Sequence, residues 1–236
     1  MSFFYISNFN SDAVKHLISI NILLYTAAFV FSQYKIENIF SLYHPLDDRF
    51  ELYQIITHMF IHSKRFFLHI IFNMLALLMF GGKMETLLGI KKFLITYFLS
   101  GVLAALFQLV FNTGVMYYFV HSLDFTQAKR IFDYYLNDDQ KINLYTSMYS
   151  PMMGSSGAVS GIVGAFARFF PEHKIFILPF PLPIAIRKAL LIFVFGSFVS
   201  SIFNLAPGVA HFAHIGGILS GYFIGSFFIK NEKNYF

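Results

Sequence analysis

Apolar residues along this chain gather in six long runs, at 16–34, 65–84, 92–111, 151–170, 187–205 and 211–229. They neither alternate as in a strand nor keep to one face as in a surface helix. Each run is close to the roughly 20 residues that carry a helix across the hydrocarbon core of a bilayer. A helix also satisfies every backbone polar group internally, which lipid demands. The pattern predicts an all-α membrane protein: one domain over residues 1–236, a bundle of six transmembrane helices with its core at about 16–230. After the first run comes Ser32-Gln33-Tyr34-Lys35, which is not a small-x-small cleavage pattern, so that run reads as a retained helix.

Two intervening segments are more polar. Residues 36–64 mix Pro45, Asp47, Asp48, Arg49 and Glu51 with aromatics. That segment is too polar to span and too aromatic for a free linker, so it reads as an interfacial loop. Residues 112–150 carry Asp124, Lys129, Arg130, Asp133, Asp138, Asp139 and Lys141. They predict an enlarged outer loop with a short surface helix around 126–136.

Composition supports the class and adds orientation. Only 12% of residues are charged, about half the usual fraction of a soluble domain. The formal charge of +5 sits beside apolar runs, which points to membrane topology and not to nucleic acid. The short loops at 83–92 and 168–188 hold Lys83, Lys91, Lys92, Arg168, Lys174, Arg187 and Lys188. The positive-inside rule places them, and with them both termini, in the cytoplasm. There is no cysteine, which excludes disulfides and thiol catalysis.

Polar side chains inside a span are costly and are functional candidates by default. The second run carries His69 and Asn73, one turn apart on one face. The fourth opens with Gly154-Ser155-Ser156-Gly157, and the sixth with His211-Phe212-Ala213-His214-Ile215-Gly216-Gly217. These three runs enter from the same outer side. Each cluster lies roughly 5–15 Å inside at 1.5 Å per residue, so His69, Asn73, Ser156 and His214 are expected at one depth. A serine, a base and further hydrogen-bonding groups in a low-dielectric site suit acyl transfer. Gly157 and Gly161 on the fourth run, with Gly217, Gly221 and Gly225 on the sixth, form small faces that let backbones approach. Gly154 is grouped with this packing support. Ser155 and Ser160 read as packing residues, while His58, His62 and His211 read as interfacial or as support at the edge of the site.

Residue sets for several other hydrolytic chemistries are absent. No acidic residue lies deep in a run, there is no His-Glu-x-x-His, and no lysine sits mid-run. Paired aspartates, a zinc site and a Ser–Lys dyad are therefore excluded. A Ser–His dyad without an orienting carboxylate remains.

These residues resemble the rhomboid family of intramembrane serine proteases, over about residues 50–225. The resemblance rests on His69-x-x-x-Asn73, Gly81-Gly82 with Glu85 and Gly89, Gly154-Ser155-Ser156-Gly157 and Ala213-His214-x-x-Gly217. It implies that Ser156 is the nucleophile and His214 the general base. Asn73, His69 and the backbone N–H of Ser156 would form the oxyanion hole. It implies transmembrane protein substrates met in the lipid bilayer of the cell membrane, cut in or near the outer boundary, with no metal or organic cofactor. Access would pass the fifth helix, at 187–205, and a cap at 206–209. The tryptophan–arginine pair common in the family's first loop is absent, leaving Tyr53 as the aromatic expected there. The family's aromatic one turn after the serine is replaced by Ser160. Two other readings are compatible with the polar set: a catalytically inactive rhomboid-like protein that binds membrane clients, and a small transporter. The natural substrate and oligomeric state are not encoded in any of these motifs.

Overall fold

The computed structural model describes residues 12–64, 66–177, 180–203, 205 and 209–231. The chain is mostly helical. Helix α1 covers Asp12–Val30, and two short helices, α2 (Ile36–Phe40) and α3 (Gln54–Thr57), lie in the first connecting segment. Helix α4 (Phe67–Ala76) continues through a π-type turn at Leu77–Gly81 into α5 (Gly82–Val120). Helices α6 (Phe125–Tyr134) and α7 (Asp138–Met148) form a hairpin, followed by α8 (Ser156–Phe169), α9 (Ile186–Ile202) and α10 (His211–Asn231).

Gly89 breaks α5, with φ 75° and ψ 160°. That backbone region is open almost only to glycine, so this residue ends one helical row after Leu88 and starts the next. Three helical stretches among the described residues are long and apolar enough to cross a membrane: Asp12–Val30, Phe67–Val120 and His211–Lys230. The second contains two of the six apolar runs, joined through the Gly89 kink.

The main core joins α1, the first connecting segment, the π-type turn, α5, α8 and α9 through Val14, Leu17, Met59, Leu77, Phe93, Tyr97, Ile162, Phe166 and Ile186. Glu85, only 5% exposed, accepts the backbone N–H groups of Ala13 at 3.0 Å and Val14 at 2.9 Å. A helix N-terminus carries unpaired donors and a partial positive charge, so this carboxylate fixes α1 against the kinked pair.

Three features differ from the sequence expectation. The third run extends beyond residue 111: α5 stays helical to Val120, which converts the start of the supposed loop into helix. The expected helix near 126–136 is α6, capped by Asp124 through Thr126 N and Gln127 N. The rest of 112–150 contains a further helix, α7, begun by a capping box between Asn137 and Gln140. Met116, Val120, Ala128, Leu144 and Met148 form a small second core under this hairpin. The chain is also not purely helical. Strands β1 (Lys174–Ile177) and β2 (Phe180–Ala185) pair antiparallel, with Ile175 opposite Ile184 and Phe176 opposite Pro183. Pro181 and Pro183 lack the N–H a helix needs but are tolerated at a sheet edge.

Candidate active site

The segment before Ser156 is held by the first connecting loop, which is itself organised around Gln54. That buried amide accepts Tyr43 N and Glu51 N and donates to Ile39 O and Arg49 O. Arg49 donates to Asp47 through Nε at 2.8 Å and a terminal nitrogen at 2.6 Å, and its guanidinium lies 4.2 Å from the centre of the Tyr43 ring. Burial alone would raise the Asp47 carboxyl, but the hydrogen bonds and charge of Arg49 outweigh it and hold that group below its ordinary value. The aromatic partner of the loop arginine is thus Tyr43 and not the expected Tyr53, whose hydroxyl donates to Ile39 O. Leu42 and Met152 exchange two backbone hydrogen bonds of 2.8 Å, and Gly154 N donates to His58 O at 2.9 Å. Together these fix residues 152–154 on the loop.

Gly154 is not on a helix, contrary to its grouping with the packing glycines. Its φ is 118°, and a Cβ there would stand 2.7 Å from His69 Cε1. Glycine is required on both counts, and the turn brings His69 against the approach to Ser156. Ser155, fully buried, has its hydroxyl 3.3 Å and its N–H 3.4 Å from His62 Nε2. Ser156 then opens α8, with its Oγ 2.9 Å from His214 Nε2. For the hydroxyl to donate, His214 must be neutral with its proton on Nδ1. The first N–H groups of α8 have no intrahelical acceptor, so they surround the serine as free donors at the positive end of a helix.

The Ser156–His214 contact exists because α8 and α10 touch backbone to backbone. A Cβ on Gly217 would overlap the carbonyl of Gly157, and one on Gly221 the carbonyl of Gly161. Gly164 meets Ile218 O in the same way, while Gly157 and Gly161 also face Ala104 and Ser100 of α5. Gly225, in the same stripe, has room for a methyl group, 3.4 Å from Ala165 Cα.

His69 and Asn73 lie on α4, and Asn73 is 6% exposed. Asn73 Nδ2 donates to His69 O at 2.8 Å, which leaves the amide's second N–H. The His62 and His69 rings meet edge-on at 5.4 Å. Residues 206–208 of the expected cap lie outside the described residues. With Ser160 in place of an aromatic on α8, Phe193 of α9 brings its ring 5.9 Å from that of His214. Gln108 was not singled out in the sequence, yet its Oε1 accepts Ala213 N at 3.1 Å and its Nε2 donates to Asn112. An amide inside an apolar run was the signal that could have identified it.

Burial, with the charge of His69 as a smaller contribution, pushes His62 down to about 3, and burial pushes His58 down to about 4. Both are therefore neutral in the folded loop at pH 7, against about 6.5 unfolded. The depressed value means the stabilisation is complete above about pH 6.5 and is lost as pH falls towards the folded values. Each such histidine costs up to about 1.4 kcal/mol per pH unit in that window. Thermal melts between pH 7 and 4 should show a falling midpoint, with a shallower slope in His62→Gln. Equal slopes would remove His62 from this account.

The sequence profile of the Rhomboid domain matches residues 49–231. The chain is 28% identical over 183 residues to "Rhomboid protein 1, mitochondrial" of Saccharomyces cerevisiae, covering 75% of this chain and 42% of that protein. It is 34% identical over 68 residues to "Rhomboid-like protease 3" of Toxoplasma gondii, covering 29% of this chain and 25% of the relative. With "RHOMBOID-like protein 1" of Arabidopsis thaliana it shares 24% identity over 188 residues, 79% of this chain and 37% of that one. The chain spans less than half the length of each of these relatives. With the profile covering most of its residues and its helices suited to lipid, the chain belongs to the rhomboid family and is an integral membrane protein.

Proposed function

We propose that this chain is an intramembrane serine endopeptidase that cuts transmembrane proteins in or near the outer membrane boundary, through a Ser156–His214 dyad. The observation that carries this reading is the 2.9 Å contact between Ser156 Oγ and His214 Nε2, made at the free N-terminus of α8.

In this reading the chain crosses the cell membrane six times, with both termini in the cytoplasm. The crossings are α1, α4 with the start of α5, α5 beyond Gly89, α8, α9 and α10. Helices α4, α8 and α10 then all start on the outer side, below the surface. Ser156 Oγ attacks the scissile carbonyl carbon as its proton passes to His214 Nε2. The tetrahedral oxyanion is held by the Ser156 N–H, the Asn73 amide and His69. The carbon–nitrogen bond breaks, the leaving amine takes the proton from His214, and an acyl ester on Ser156 remains. Water, deprotonated by His214, attacks this ester and restores the serine. Phe193 restrains the His214 ring from the α9 side.

A fluorophosphonate probe should label the purified protein once, and peptide mapping should place the adduct on Ser156. Labelling on Ser155, or none, would overturn the assignment and favour a client-binding role.

A further inference from the structure

A cavity of about 470 Å³ lies apart from the dyad, walled by the end of α5, by α7, by the last turn of α9 and by the start of α10. Its polar surface includes Asn143, Thr146, Ser200 and Ser201, with Tyr118 and His211 beside them. Among the described residues, none that lines it is a lysine, arginine, aspartate or glutamate. The volume lies within the roughly 300–1,000 Å³ range of ligand-binding sites.

Its height follows from helix length. Residues 90–120 of α5 rise about 46 Å at 1.5 Å per residue, whereas the hydrocarbon core is about 30 Å thick. Roughly the last ten residues of α5 therefore stand clear of the core on the outer side, and the stretch from Asn112 to Phe119 that walls the cavity falls there. The α6–α7 hairpin forms a firm wall. It rests on its own small core, Phe125 packs on Tyr149, and Arg49 donates to Tyr149 O at 3.4 Å. At its other side the cavity reaches His211, one turn ahead of His214 on α10.

Resting on the proteolytic reading, we propose that this cavity is an exosite for the uncharged polar segment that flanks a substrate's transmembrane helix on the outer side. In the proteolytic reading the substrate is cut near the outer boundary, so its outer flank continues to the height of the 112–119 wall. Side-chain amides and hydroxyls offer both donors and acceptors, which match peptide N–H and C=O groups. A phosphate-bearing lipid headgroup would call for arginine or lysine, and the described lining has neither. A charged flank would lose water without gaining a counter-charge. The α6–α7 hairpin thereby selects the composition of the flank, separately from the bond that is cut.

The test uses the full chain with Ser156→Ala in lipid nanodiscs, so that binding is read without cleavage. Three single-span reporters share one transmembrane segment and carry a Ser/Asn/Gly, a lysine-rich or a glutamate-rich outer flank. The neutral flank should bind about ten-fold more tightly than either charged one. Adding Asn143→Asp should reverse the ranking towards the lysine flank, and Asn143→Lys towards the glutamate flank. A folding defect would weaken all three together and cannot produce opposite reversals. Equal affinities for the three flanks, unchanged by either substitution, would overturn the exosite. Fluorophosphonate labelling of Ser156 in the otherwise wild-type chain tests the catalytic reading independently.

Discussion

Ser156→Ala should abolish cleavage of a single-span reporter, by at least about 10³-fold, and His214→Ala should do the same. The double variant should be no worse than either single one, because nucleophile and base act as a unit whose parts are not additive. Residual hydrolysis would come from the remaining oxyanion donors. Ser156 and His214 are each partly accessible on separate helices, so replacing either by alanine leaves the glycine contacts between α8 and α10 in place. Folding controls such as melting in detergent should therefore remain near wild type. Cleavage that persists in Ser156→Ala would move the nucleophile to Ser155 or Ser160. Ser155 is the weaker candidate, since it is fully buried against His62.

Gly221→Val should cost at least about 10² in rate, because a displacement of about 1 Å at a reacting pair is worth that much. No catalytic atom is altered. The added side chain would meet the Gly161 carbonyl and its neighbouring backbone, which cannot move aside as a flexible side chain could. Helices α8 and α10 would separate, and the 2.9 Å contact between Ser156 and His214 would open with them. Gly225→Ala is the matched control from the same stripe. Its methyl group would make ordinary contact, and replacing a mid-helix glycine by alanine gains about 0.5–1 kcal/mol. Full activity in Gly221→Val would show that the backbone contact does not set the geometry of the pair.

The apolar runs made the long helices legible, and the small residues at fixed spacing made the α8–α10 contact legible. Apolarity did not reveal where hydrogen bonding changes. Residues 151–155 are as apolar as the helix they precede, yet Met152 pairs with Leu42 and Gly154 turns, so α8 begins only at Ser156. The hairpin was obscured for the opposite reason. Asn112 and Thr113 look like loop residues, but Thr113 bonds His44 while Met116 and Val120 supply a local core. The Asn137–Gln140 capping box that starts α7 was not singled out in the sequence, although an Asn followed three residues later by Gln is the signal that could have marked it. Partners across the fold, such as Tyr43 for Arg49, Phe193 for His214 and Glu85 for the start of α1, depend on side-chain directions that spacing along one chain does not encode.

The Glu85 clasp also bears on biosynthesis. The N–H of Ala13 and its acceptor are 72 residues apart, which at ribosomal rates of 5–20 residues per second is a delay of roughly 4–14 s. During that interval α1 has already been made, but the acceptor of its leading amides has not. The leading turn of α1 therefore gains this clasp only once the stretch that carries Glu85 has been made.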